Sequence, residues 1–193
     1  LGNDISFEGV LPHDTMQFSR AHLAIGEDDT VSMGLGFSIS ANVDEVDLDS
    51  WLQAISKLHD GLPSTDKPIL SEPQRIYVNA DVMRISGQNI NQLELVVKHS
   101  TDDWLLEFNA QQIRAKVTLY DDWLNRGIDI KADFIDLLEW HSDAQLEDQQ
   151  FALNDLPPVN FECKSCRILG KDLGRVDFSL SRAPHGMQID SLR

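Results

Sequence analysis

The chain has 193 residues, about one to one and a third ordinary globular domains. Acidic side chains number 32 against 16 basic ones, a formal charge of −16, which excludes the basic footprint that nucleic acid needs and a polybasic membrane-surface patch. With 41% apolar and 25% charged residues and ordinary Gly and Pro content, the chain can bury a core and is neither collagen-like nor disordered.

No apolar run approaches the ~18 residues of a membrane span, and no signal peptide is visible. The chain begins on Leu1 and ends on Arg193 in a strand-like stretch. It is read as one elongated β-rich segment, residues 1–193, cut from a longer polypeptide that continues on both sides.

Period-2 alternation dominates, as in strands with one buried face. The first clear run is Val31, Met33, Leu35, Phe37, Ile39 and Ala41, with Ser, Gly and Asn between. Then the spacing changes. Leu48, Trp51, Leu52, Ile55 and Leu58 fall at helical intervals, with Asp47 as N-cap and Gly61 as stop, which predicts one short amphipathic helix. Leu62–Pro73 holds three prolines and reads as loop. Alternation returns at Leu93, Leu95 and Val97, at Trp104, Leu106, Phe108 and Ala110, at Ile113, Ala115, Val117 and Leu119, and at Ile128, Ile130, Ala132 and Phe134. Residues 142–158 are polar and end in Leu156-Pro157-Pro158, a candidate seam. Val176, Phe178 and Leu180 close the series. Tight polar turns, Asp121–Gly127 among them, separate about eleven candidate strands, so neighbours should pair antiparallel.

The two cysteines form Cys163-Lys164-Ser165-Cys166 between strand-like flanks. Residues three apart on a regular strand lie roughly 10 Å apart, beyond the ~7 Å that a disulfide tolerates. No second ligand pair is spaced for zinc. Both are therefore expected to be buried apolar fillers.

An internal repeat places Val78–Asn109 over Phe161–Leu192. Met83-Arg-Ile-Ser-Gly87 matches Cys166-Arg-Ile-Leu-Gly170, and Leu93–Val97 matches Val176–Leu180. The alternation slips phase at the same point in both copies, from Val78 and Ala80 to Met83 and Ile85, and from Phe161 and Cys163 to Cys166 and Ile168. A shared slip predicts a shared β-bulge, and two copies suggest a chain that extends by adding β-units.

The repeated phrase, Arg-Ile-x-Gly followed by an acidic alternating strand, resembles the AsmA-like bridge-like lipid transfer proteins. The segments that carry it are Val46-Asp-Leu-Asp-Ser-Trp-Leu52, Trp104-Leu-Leu-Glu-Phe-Asn-Ala110, and Leu156-Pro-Pro-Val-Asn-Phe161 through Gly170-Lys-Asp-Leu-Gly-Arg-Val-Asp-Phe178. Ser50 stands where the family commonly has Ala, and the cysteines depart from the pattern. The resemblance implies a long, twisted antiparallel sheet curled into an open groove, the repeating β-groove. It implies a periplasmic protein, anchored in the inner membrane, that moves phospholipid towards the outer membrane. On that reading Val31, Met33, Leu35, Phe37, Ile39, Leu93, Leu95, Trp104, Leu106, Phe108, Ile113, Val117, Ile128, Ile130 and Phe134 line a groove for acyl chains. The chain needs no cofactor or metal and performs no catalysis.

The competing reading is an extracytoplasmic β-sandwich for binding or adhesion, dependent on calcium or glycan, motivated by the acidic pairs Asp28-Asp29, Asp102-Asp103 and Asp121-Asp122. Acids at turns are usually solvated. An EF-hand started at Asp47 lacks Gly at its sixth position (Leu52) and Glu at its twelfth (Leu58). The six histidines are scattered, with no HExxH, and there is no nucleophile elbow and no phosphate loop.

Overall fold

A computed structural model describes residues 5–14, 16–26, 33–48, 50, 69–85, 88–137, 156–183 and 186–193. The body of the expected helix after Asp47, with Trp51, lies outside the described residues, as do Val31, Trp140 and most of 142–158. At the expected cap, the Asp47 carboxylate accepts a hydrogen bond from the Ser50 backbone N–H at 2.8 Å, which holds its pKa below the ordinary carboxylate value.

The strands are β1 (Ile5–Val10), β2 (Arg20–Gly26), β3 (Gly36–Asp47), β4 (Pro73–Ile85), β5 (Gln88–His99), β6 (Asp103–Asn109), β7 (Ile113–Tyr120), β8 (Ile128–Leu137), β9 (Val159–Ile168), β10 (Lys171–Ala183) and β11 (Gly186–Leu192). They form one open sheet in strict sequence order. No second sheet exists among the described residues, so the β-sandwich alternative is not the architecture. Between β7 and β8 sits α1 (Trp123–Arg126), where a turn was expected. Within the run expected from Val31, Met33 and Leu35 precede the strand, which begins at Gly36 and continues to Asp47.

The expectation of antiparallel pairing throughout needs correction. Seven junctions are antiparallel, but β2–β3, β3–β4 and β8–β9 are parallel. The difference follows connection length. Short turns such as 100–102 reverse the chain. The intervals 27–35, 48–72 and 138–158 join opposite ends of neighbouring strands, as a parallel pair requires. The parallel junctions bracket β4–β8, a five-stranded antiparallel meander. The strands β4–β6 and β9–β11 end or begin at matching positions, Ile85 and Ile168, Gln88 and Lys171, Asp103 and Gly186, Asn109 and Leu192, all at one offset.

A phase slip crosses the sheet. Four strands carry buried residues three apart rather than two: Ala80 and Met83, Ile90 and Leu93, Ala132 and Ile135, Cys163 and Cys166. Cross-strand pairing joins them, Ala80 with Leu93, Met83 with Ile90, Ala132 with Cys163, and Ile135 with Cys166. In β9 three steps, Cys163 to Cys166, lie opposite two in β10, Val176 to Gly174, so Lys164-Ser165 holds the extra residue of a bulge. In β5 the slip falls at Gln92, which takes a left-handed φ of 52°. The β6–β7 turn serves the backbone there: Gln111 N–H donates to the Asn91 carbonyl at 3.0 Å, and Asn91 N–H donates to Gln112 Oε1 at 2.7 Å.

Two clusters pack at the slip. One joins Val46, Ala80, Met83, Ile90, Leu93 and Ala110, with Leu48 and Phe108 against it. The other joins Ala115, Ala132, Ile135, Cys163 and Cys166, with Phe161 and Val176. The cysteines are buried as expected, each 1% exposed, but they are not free fillers. They form a disulfide with Cα atoms 6.0 Å apart. The bulge shortens the interval and turns both side chains to one face, which a regular strand would not do.

Candidate functional site: an apolar face across eleven strands

Residues paired across neighbouring strands point to the same face of a sheet. Following the register from one edge to the other gives a row of Phe7, Leu23, Ile39, Ile76, Val97, Leu106, Val117, Ile130, Phe161, Phe178 and Leu192. All eleven are apolar, one from every strand. Ten interstrand spacings give the row a length of about 48 Å, at right angles to the strands. A second row runs beside it, Ile5, Ile25, Ala41, Val78, Leu95, Phe108, Ala115, Ala132, Cys163 and Val176. On the other side lies a rim row from His99 through Trp104, Leu119, Ile128, Val159 and Leu180 to Ile189.

Most of these side chains are half-buried rather than buried. Val97 is 8% exposed, whereas Phe7 and Leu192 at the two edges are 41% and 70% exposed. Rings meet along the central row, where Phe161 stacks on Phe178 with centroids 4.9 Å apart. At the rim, His99 stacks on Trp104 at 4.1 Å.

The expected lining residues fall into this frame unevenly. Ile39, Leu106, Val117 and Ile130 stand in the central row, Leu95 and Phe108 in the second, and Trp104 and Ile128 in the rim row. Leu93 pairs with Ala80, Ile113 with Ile135, and Phe37 with Ala21, all on the same face. Met33 and Leu35 precede β3, and Leu35 is 68% exposed. Val31 lies outside the described residues. Phe134 is on the opposite face: the slip at Asp133 pairs it with Arg114, whose guanidinium carbon sits 5.6 Å from its ring centroid. Ile135 takes the inward position instead.

The expected lining omits seven of the eleven central-row residues: Phe7, Leu23, Ile76, Val97, Phe161, Phe178 and Leu192. In β2 the alternation is erased because both faces are covered: Ala21, His22 and Ala24 are all buried. The His22 ring lies 2.8 Å from Ser38 Oγ and 3.1 Å from Ser40 Oγ, a histidine satisfied by hydroxyls on the face away from the apolar rows.

That opposite face is a ladder of charges. Glu107 meets Lys116 at 2.9 Å and Lys98 at 3.4 Å, and hydrogen bonds from the two ammonium groups hold its carboxyl below the ordinary range. Lys116 is raised by the same contact. Lys164 binds Asp133 at 2.7 Å and lowers it. The Tyr120 phenol donates to Asp129 at 2.8 Å, which raises its pKa. Discrete hollows lie on this polar side. One of about 580 Å³ is lined by Glu94, Glu107, Arg114, Lys116, Lys131 and Lys164. The apolar face instead presents aligned rows of apolar side chains, most of them half-buried.

Among the described residues, no three His, Cys, Asp or Glu side chains come together as a metal site, and no helix is long and apolar enough to cross a membrane. Neither a curated protein nor a solved structure matches the chain. The family model described as YhdP protein matches residues 1–193. With its whole length matched, the chain belongs to the YhdP family.

Proposed function

We propose that the chain is a segment of a bridge-like lipid transporter. Its apolar face shields phospholipid acyl chains as they pass from the inner to the outer membrane through the periplasm of a Gram-negative envelope. The remainder of the same polypeptide continues the surface on both sides, and an inner-membrane anchor elsewhere in the parent holds it. The role is non-enzymatic. The observation that carries this reading is the unbroken row from Phe7 to Leu192. Each methylene moved from water onto such a surface is worth about 0.8 kcal/mol. Membership of the YhdP family supports the same reading.

The test is uptake of a fluorescent phospholipid by the chain. Leu106→Asp and Val117→Asp each place a charge in the central row and should abolish uptake. Leu105→Asp, one residue away on the polar face beside Lys98, should leave it intact. Normal uptake by folded Leu106→Asp protein would overturn the proposal.

A further inference from the structure

We infer that the Cys163–Cys166 bond is made by exchange with an external disulfide donor before β9 docks on β8, while β9–β11 still stands apart. The inference is independent of what lies on the apolar face.

A disulfide forms when a thiolate attacks a donor sulfur, so the donor must reach the thiolate. In the folded sheet it has no approach. Cys163 and Cys166 are each 1% exposed, and β9 is an inner strand with a neighbour on both sides. The two sides do not cover the sulfurs equally. On β8 the cross-strand partners are Ala132 and Ile135, and Ala115 of β7 completes the buried cluster. On β10 the partners are Val176 and Gly174. Gly174 has no side chain, and a Cβ built there would meet nothing within 4 Å. The cover over the sulfurs therefore comes mainly from β7 and β8.

Chain connectivity puts that cover second. β9 and β10 are joined by Leu169 and Gly170, a two-residue turn whose φ values of 53° and 71° are the left-handed pair of a tight hairpin. β8 reaches β9 only across residues 138–158. Closing so short a turn costs less entropy, and takes less time, than closing the longer interval. The hairpin forms first, with Cys166 still uncovered on its β8 side, and the parallel junction follows.

These 193 residues hold only two cysteines, so the oxidant is a second molecule. One cysteine thiolate attacks the donor disulfide. A mixed disulfide forms, and the donor's other sulfur leaves as a thiolate. The second cysteine then attacks the chain's own sulfur in the mixed disulfide, closes Cys163–Cys166 and releases the donor. Two electrons and the two thiol protons pass to the donor, which departs as a dithiol. The linked Cα atoms stand 6.0 Å apart, where a regular strand would set them about 10 Å apart. The cross-linked strand thus arrives at β8 with its bulge already formed, Cys163 opposite Ala132 and Cys166 opposite Ile135.

The experiment refolds the reduced, urea-unfolded 193-residue chain in two orders. Oxidised glutathione is present from the start in one. In the other it is added after circular dichroism shows the sheet complete. Free thiols are counted by alkylation and mass spectrometry. The early order should close the bond at least about tenfold faster, because reaction in the fold waits for the sheet to open. Cys166→Ala, which halts exchange at the mixed disulfide, should take glutathione on Cys163 in urea and resist it in the fold by a similar factor. Ile135→Ala, which thins the β8 cover, should speed the late order more than Phe108→Ala, which touches the other cluster. A reduced chain that gains its sheet only when glutathione arrives would support the same sequence of events. Equal rates in the two orders, with the reduced chain shown to be folded, would overturn the proposal. So would equal labelling of folded and unfolded Cys166→Ala, or equal acceleration by the two alanine variants.

Discussion

The phase slip is held in two different ways on the two sides of the sheet. At β4 and β5 it is held by volume: Met83, Ile90 and Leu93 fill the space, with Leu93 only 2% exposed. At β8 and β9 the equivalent positions are Ala132, Ile135 and two cysteines, and a covalent bond spans the bulge. In both places the buried side changes phase along the strand: in β4 and β5 the two strands change together with their register unbroken, whereas β9 carries an extra residue against β10. Where large side chains meet, packing holds the change of phase. Where the neighbours are small, a cross-link does.

That contrast sets the order of expected effects. Leu93→Ala should cost the most, about 2–5 kcal/mol, because the cavity it leaves sits in the better-filled cluster. A shift in the urea midpoint at constant slope would measure it. Reducing the disulfide, or replacing both cysteines by alanine, should cost about 2 kcal/mol, the entropy released by opening so small a loop. Serine at both positions should be worse than alanine, since buried hydroxyls would need partners. A reduced protein as stable as the oxidised one would show that packing holds both halves. Phe134→Ala should cost about 1 kcal/mol, since its half-buried ring meets the exposed Arg114 guanidinium, whereas Phe161→Ala, which removes a ring stacked on Phe178 and packed on the second cluster, should cost more. The smallest effect is acid titration. Glu107 and Asp133 have lowered pKa values in the fold, so their stabilisation is complete at neutral pH and is lost as pH falls below about 4. Glu107→Gln and Asp133→Asn should flatten that acid limb in a pH series of melting temperatures.

Much of this sheet is legible in the residues. Alternation in β3, β6 and β7 identifies one apolar side, and the irregularity at Cys163–Cys166 announces a bulge, whereas its counterpart at Ala80–Met83 changes phase with the register to β5 unbroken, so the bulge is not shared by both copies. Three features are not legible. A strand's own composition carries no record of whether its neighbour runs the same way, so the parallel junctions stay hidden until the endpoints are known. The disulfide is invisible to an argument from regular strand rise, although the bulge that permits it could have been carried one step further. Phe134 is misplaced for the same reason: the slip recognised in two strands also passes through Asp133 in a third, where Phe134 and Ile135 exchange sides. In the binding surface, Leu23 is masked because its strand is enclosed on both faces, which removes the very contrast that periodicity reads.

The central row runs across the strands rather than along them, and this separates two dimensions that most folds couple. Strand length governs how broad the surface is, at about 3.3 Å per residue, while the number of strands governs how far it reaches, at about 4.8 Å each. Duplicating a five-strand block such as β4–β8 would extend the reach by about 24 Å and leave the breadth as it was. A gene could thus match the span of a cellular gap by copy number alone, without redesigning a single cross-section.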